Sequence, residues 1–151
     1  MENGCTTTNK RNRLSTERSF ETQINRGYSL IYWNVQGLGS KLNIIEKVNK
    51  YDIIILAESF IEEKNCKNYE WNLPVTHNWH WSGAIRERVK GRARSGFLCG
   101  INKKIKGSMV RKDVNGQYVI LEVEMKKKNH RIIAVYNMNG LKSFKKEYIN
   151  D

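Results

Sequence analysis

The sequence predicts an α+β domain, a β-α-β unit followed by a mostly antiparallel meander of strands. Three observations predict it. Two dense apolar runs, "YSLIYW" (Tyr28 to Trp33) and "DIIILA" (Asp52 to Ala57), have the length and composition of strands. Between them, apolar residues recur at helical spacing. After them, strand-like runs follow one another without the regular alternation of helix and strand that a doubly wound fold needs. A mixed sheet with a helix on one face suits this order.

The first strand is short, aromatic and rich in β-formers, and Gly37 and Gly39 break it. Ser40 is placed as an N-cap. From Lys41 to Lys50, Leu42, Ile45 and Val48 step by three with Ile44 beside them, which predicts an amphipathic helix of about three turns. The unbroken run Asp52 to Ala57 reads as a strand buried on both faces and parallel to the first. Phe60 to Trp81 holds the single proline, Pro74, and three tryptophans, and reads as loop with short strands. "IRERVKGRAR", Ile85 to Arg94, is a basic flexible loop, and "SGFLCGIN", Ser95 to Asn102, is strand-like. Asn115-Gly116 signals a hairpin turn. Val119, Leu121, Val123 and Met125 then alternate as a half-buried strand. "KKKNH" is a second turn, and "RIIAVY", Arg131 to Tyr136, a further buried strand. The tail from Leu141 to Asp151 starts a helix.

The chain has 151 residues, 39% of them apolar, enough for one domain with a core. Its formal charge of +12 favours polyanionic partners, nucleic acid before an acidic membrane surface. Cys5, Cys66 and Cys99 are odd in number and widely spaced, so neither a disulfide framework nor a cysteine-rich zinc site is suggested, and a reducing compartment is the default. No apolar run reaches the ~18 residues of a membrane span. Residues 1–27, with "NKRNR", read as a disordered basic leader.

Two neighbouring parallel strands present their carboxyl ends at one edge of a sheet, where ligands of α/β proteins commonly bind. Asn34 and Glu58 end the two runs there. A carboxylate beside an amide oxygen is a pair of hard ligands suited to Mg²⁺. Tyr136 and Asn139 end a third buried strand and are placed to join them. Arg86, Arg88, Lys90, Arg92 and Arg94 alternate over nine residues and are candidates to neutralise nucleic-acid phosphates. Trp79 and Trp81 are candidates to stack on bases, against the plainer reading of core tryptophans. A metal pair at His77 and His80 is weighed against ordinary surface histidines.

"IYWNVQGLGSKL…YDIIILAES" resembles the opening of the endonuclease/exonuclease/phosphatase superfamily. More narrowly, it resembles the apurinic-type endonuclease domain of non-LTR retrotransposons. "GRARSGFLCGINKKI" and "HRIIAVYNMNG" resemble later segments of those domains, so the likeness covers about Tyr28 to Gly140. The resemblance implies a sandwich of two sheets with helices outside. It implies Glu58 as the metal-binding carboxylate and Asn34 as a metal-binding or orienting residue, with Tyr136 and Asn139 on the phosphate. The implied reaction is attack of an activated water on a phosphodiester of DNA with Mg²⁺ stabilising the developing charge, which would place the protein in the nucleus. Gln36 stands where some members carry an acid. The later Gly-Asp-x-Asn and Ser-Asp-His type motifs are not found in the sequence. The expectation is therefore the N-terminal half of the domain at residues 28–140, a truncated tail at 141–151, and little activity alone. A missing half-domain or a reverse transcriptase region is the expected partner. Four strands would then leave roughly 300 Å² of flat sheet face open, enough to make the chain marginally stable.

Overall fold

The computed structural model of the protein describes residues 19–24, 27–136, 141–142 and 144–146. Among the described residues, strands and helix run in the order β1 (Ser19–Ile24), β2 (Tyr28–Asn34), α1 (Asn43–Val48), β3 (Ile53–Ala57), β4 (His77–Ser82), β5 (Phe97–Asn102), β6 (Lys106–Lys112), β7 (Tyr118–Met125) and β8 (Lys128–Val135). They form a five-stranded mixed sheet, β1-β2-β3-β5-β4, and a three-stranded antiparallel sheet, β6-β7-β8. The α+β class and the β-α-β start are as the sequence predicts, with β2 and β3 parallel and Asn34 in register with Ala57.

The period-two pattern of β3 divides its side chains between two cores. Ile53, Ile55 and Ala57 face the second sheet and meet Val119, Leu121, Val123 and Met125 of β7. Ile54 and Leu56 face the other way and pack under Ile44, Ile45 and Val48 of α1. All five β3 residues are buried, as an unbroken apolar run requires. The three-stranded sheet covers the face expected to be open, because its alternating apolar residues match the spacing of those on β3 and β5. The outward-facing Tyr118 is also buried, and Phe144 meets its ring edge-on at 5.7 Å between centroids. Residues 141–142 and 144–146 are helical, as expected of the tail.

Several elements depart from expectation. Ser19–Ile24, inside the stretch read as a disordered leader, is a strand antiparallel to β2. The alternation of Phe20, Thr22 and Ile24 with polar residues carried that signal, masked by the basic run before it. The helix is shorter than three turns and Ser40 does not cap it. Lys41 N–H donates to Leu38 O and Ile44 N–H to Lys41 O, so tight turns carry the chain to the N-cap Leu42, and the helix begins at Asn43. β6 is an unforeseen edge strand. Its sequence "KGSMVRK" is polar and its pairing shifts register between Met109 and Arg111, both of which blunt an exposed edge. Asn115-Gly116 does form the β6–β7 turn, with Gly116 at φ 63.

The β7–β8 turn is narrower than "KKKNH". Asn129 and His130 are in β8, and Lys126 and Lys127 alone make the turn, at φ 51 and 61. Two left-handed residues between paired Met125 and Lys128 define the type I′ hairpin, which favours Asn-Gly. Lys126→Asn with Lys127→Gly should stabilise the protein by about 1 kcal/mol, read as a raised urea midpoint. A lowered midpoint would refute this reading of the turn.

Candidate functional site

The carboxyl ends of β2 and β3 meet at one rim of the five-stranded sheet, and backbone hydrogen bonds join them past the last residues of both. Val35 N–H donates to Ala57 O at 2.9 Å, Gly37 N–H to Glu58 O at 2.8 Å and Leu38 N–H to Ser59 O at 2.9 Å. Ser59 and Phe60 N–H groups reach across to Gly96 O and Ser95 O, both at 3.1 Å. Four non-glycine residues with left-handed backbone cluster here: Gln36 (φ 49), Glu58 (φ 55), Phe60 (φ 57) and Ser95 (φ 56). Each costs on the order of 1–3 kcal/mol and persists only because its neighbours enforce it.

The kink at Glu58 has a definite consequence. Side chains alternate along a strand, and Ala57 faces the second sheet, so an unbroken strand would aim Glu58 at the helix layer. Left-handed backbone breaks that alternation. The Tyr32 ring packs in the core between the sheets, and the Glu58 carboxylate is close enough to raise the pKa of its hydroxyl. Tyr136 packs against the same core and follows Val135, whose carbonyl takes the Tyr32 hydroxyl. Tyr136 shares a cleft with Ser95, whose carbonyl accepts from Phe60 N–H at the Glu58 rim. Asn34 is half-buried at the same rim, its Oδ1 accepting from Gln36 N–H at 3.2 Å. Asn139 lies outside the described residues. Beside Tyr136, Arg94, Ser95, Asn115 and Gln117 line a cleft of about 280 Å³.

Tyr32 is the rim residue that sequence reasoning missed, because its place in an aromatic run reads only as core. Its hydroxyl donates to Val135 O at 3.2 Å, tying β2 to the end of β8 just before Tyr136. Burial first, then the Glu58 carboxylate, push its pKa from 10.0 up to about 12. Below pH 10 the folded and unfolded states both keep this proton. Above it the unfolded state releases the proton first, so stability falls as pH rises toward 12, by about 2 kcal/mol. Comparing alkaline unfolding of the wild type with Tyr32→Phe isolates that loss. Equal pH slopes in the two proteins would show that Tyr32 titrates normally.

The basic loop is more constrained than its composition suggests. Ile85 and Arg94 pair their backbones at 3.0 and 2.8 Å, closing residues 85–94 into a hairpin-like loop. Arg86 is occupied: it bonds Glu62 at 3.1 Å and Gly91 O, and that bond holds the Glu62 carboxyl below its usual range. Arg94 stands 3.7 Å from Glu87, an exposed pair worth ~0–1 kcal/mol. Arg92 lies over the Phe60 ring. Arg88 and Lys90 are exposed, with no ion pair among the described residues.

Histidine and tryptophan take structural roles. His77 is buried, with Nε2 2.7 Å from Tyr51 O and Nδ1 2.9 Å from Thr76 Oγ1, which occupies both ring nitrogens. His80 is three residues along the strand and so on the opposite face, where burial lowers its pKa. The two therefore do not form a metal pair. Trp79 and Trp81 are half-buried against the core on the helix side of the sheet, the Trp79 indole N–H donating to Pro74 O at 2.9 Å and the Trp81 ring meeting that of Tyr69. Cys66 and Cys99 are free and buried, and burial raises both thiols above their ordinary range. Among the described residues, no three His, Cys, Asp or Glu side chains stand together as a metal cage. No described helix is long and apolar enough to cross a membrane.

No protein-family model matches the chain, and no curated protein matches its sequence. The functional reading therefore rests on the residues and their arrangement.

Proposed function

We propose that the chain is a phosphodiester-handling domain of the endonuclease/exonuclease/phosphatase type, its two facing sheets being part of that sandwich. Within that class, we read it as a portion of the Mg²⁺-dependent apurinic-type DNA endonuclease of a non-LTR retrotransposon. The observation that carries this is the rim where β2 and β3 end together, with Asn34 and the left-handed Glu58 brought to the same edge by the Val35–Ala57 and Gly37–Glu58 backbone hydrogen bonds. Glu58 supplies one carboxylate and Asn34 one amide oxygen. Mg²⁺ accepts such a sparse set, filling its sphere with water and substrate phosphate, so the residues fit a weakly held ion. When bound, Mg²⁺ would supply charge stabilisation at the phosphate. By the resemblance, Tyr136 would contact or polarise that phosphate and Asn139 would help hold it.

The test is plasmid nicking in Mg²⁺ against Glu58→Gln and against chelator. Slow nicking that both abolish supports the proposal. Nicking that survives Glu58→Gln overturns it. A second reading, a nucleic-acid-binding module without catalysis, is favoured by the single carboxylate and the exposed cations, and binding without nicking would select it. A phosphatase acting on a small phosphorylated substrate fits the charge of +12 less well. On either DNA reading, log affinity falls linearly with log salt concentration. Arg88→Ala and Lys90→Ala should each reduce that slope by about one, as measured by fluorescence anisotropy. An unchanged slope would place the DNA elsewhere.

A further inference from the structure

Phe60 follows Glu58 by two residues and holds a left-handed backbone that is rare for a bulky side chain. Its neighbours Ser59 and Ile61 are buried, whereas Phe60 is half-exposed beside the Glu58 rim. The Arg92 guanidinium lies over its ring, 4.6 Å from the centroid. Gly37 borders both groups. A Cβ there would stand 3.3 Å from the Phe60 ring and 3.5 Å from the guanidinium. Gly37, Ser40, Phe60, Arg86 and Arg92 line one cleft of about 380 Å³. Arg92 is presented by the loop whose ends Ile85 and Arg94 pair, so the stack does not hang from a free segment.

We propose that this cleft is a nucleotide subsite, in which one unstacked base of a DNA strand packs against Phe60 and Arg92. A flat ring and a planar guanidinium both accept any base by its π-face, and a cationic wall attracts the phosphate that comes with it. The cleft volume is within the ordinary range for small-ligand sites. Its Gly37 N–H donates to Glu58 O at 2.8 Å, so the subsite shares its backbone with the Asn34–Glu58 rim. A base held here would place a neighbouring phosphate near that rim. This assignment rests on the phosphodiester reading of the rim.

The experiment is binding of a short single-stranded DNA carrying 2-aminopurine, beside a fully paired duplex of the same sequence, in EDTA. Chelation keeps base stacking separate from hydrolysis, so absence of nicking leaves this readout intact. The wild type should quench 2-aminopurine fluorescence. Phe60→Leu and Arg92→Lys should each weaken single-strand binding about ten-fold, with duplex binding little changed. Arg92→Lys keeps the charge and loses the planar stack, and it decides the matter if Phe60→Leu melts early by circular dichroism. Unchanged single-strand affinity, or equal losses for single strand and duplex, would overturn the subsite.

Discussion

Gly96→Ala is expected to destabilise the protein by roughly 3 kcal/mol, from left-handed strain and overpacking acting together. Gly96 has φ +87, and a Cβ there would lie 2.7 Å from Ser59 Oγ, 3.0 Å from Ala84 N and 3.1 Å from Ala84 Cβ. Two of these three atoms belong to Ala84, anchored where its N–H donates to Ile61 O at 2.7 Å. Ser59 is fully buried, so its hydroxyl has little room to turn aside. The residue also joins three segments: its carbonyl accepts from Ser59 N–H, and its N–H points at Gly116 O at 3.4 Å. Urea unfolding checks the magnitude. A loss under about 1 kcal/mol would mean that the rim relaxes freely, and the left-handed cluster would then not be rigid.

Phe97→Ala should cost about 3–5 kcal/mol. Phe97 is among the largest side chains fully excluded from solvent, and it fills the core between the two sheets. Its strand neighbours are Ala57 on one side and Ser82 on the other, both small, so neither can extend into the space left behind. Against a typical total of about 5–15 kcal/mol this is a large fraction, and the melting temperature should fall by roughly 10 °C or more. Calorimetry of the two proteins tests it. A shift of only a few degrees would show that the sheets close over the cavity.

Much of the fold was legible because it rests on local periodicity. The β3 run, the helical spacing of Ile45 and Val48, and the alternation of β7 each reflect how often a side chain returns to the same face. β6 was illegible for the converse reason. An edge strand with one side unpaired has little need of apolar residues, and "KGSMVRK" carries no such pattern. The tryptophans stayed open between stacking and core, and His77 was read as a surface residue though it is buried, because sequence shows their chemistry and not their packing. Both ring nitrogens of His77 are occupied by groups that are distant or unremarkable in the chain.

The same division runs through the candidate site. By itself the sequence determined that Asn34 and Glu58 end adjacent parallel strands, since a β-α-β unit leaves little choice. Only the tertiary structure decided that Tyr32 feels the Glu58 carboxylate, and that Arg92 covers Phe60 while Glu62 occupies Arg86. Those outcomes depend on left-handed backbone at Glu58 and Phe60, a conformation that neither residue favours by itself. Hydrogen bonds from a distant strand end, at Ser95 and Gly96, hold that backbone in place. No short stretch of sequence contains both the strain and the contacts that sustain it.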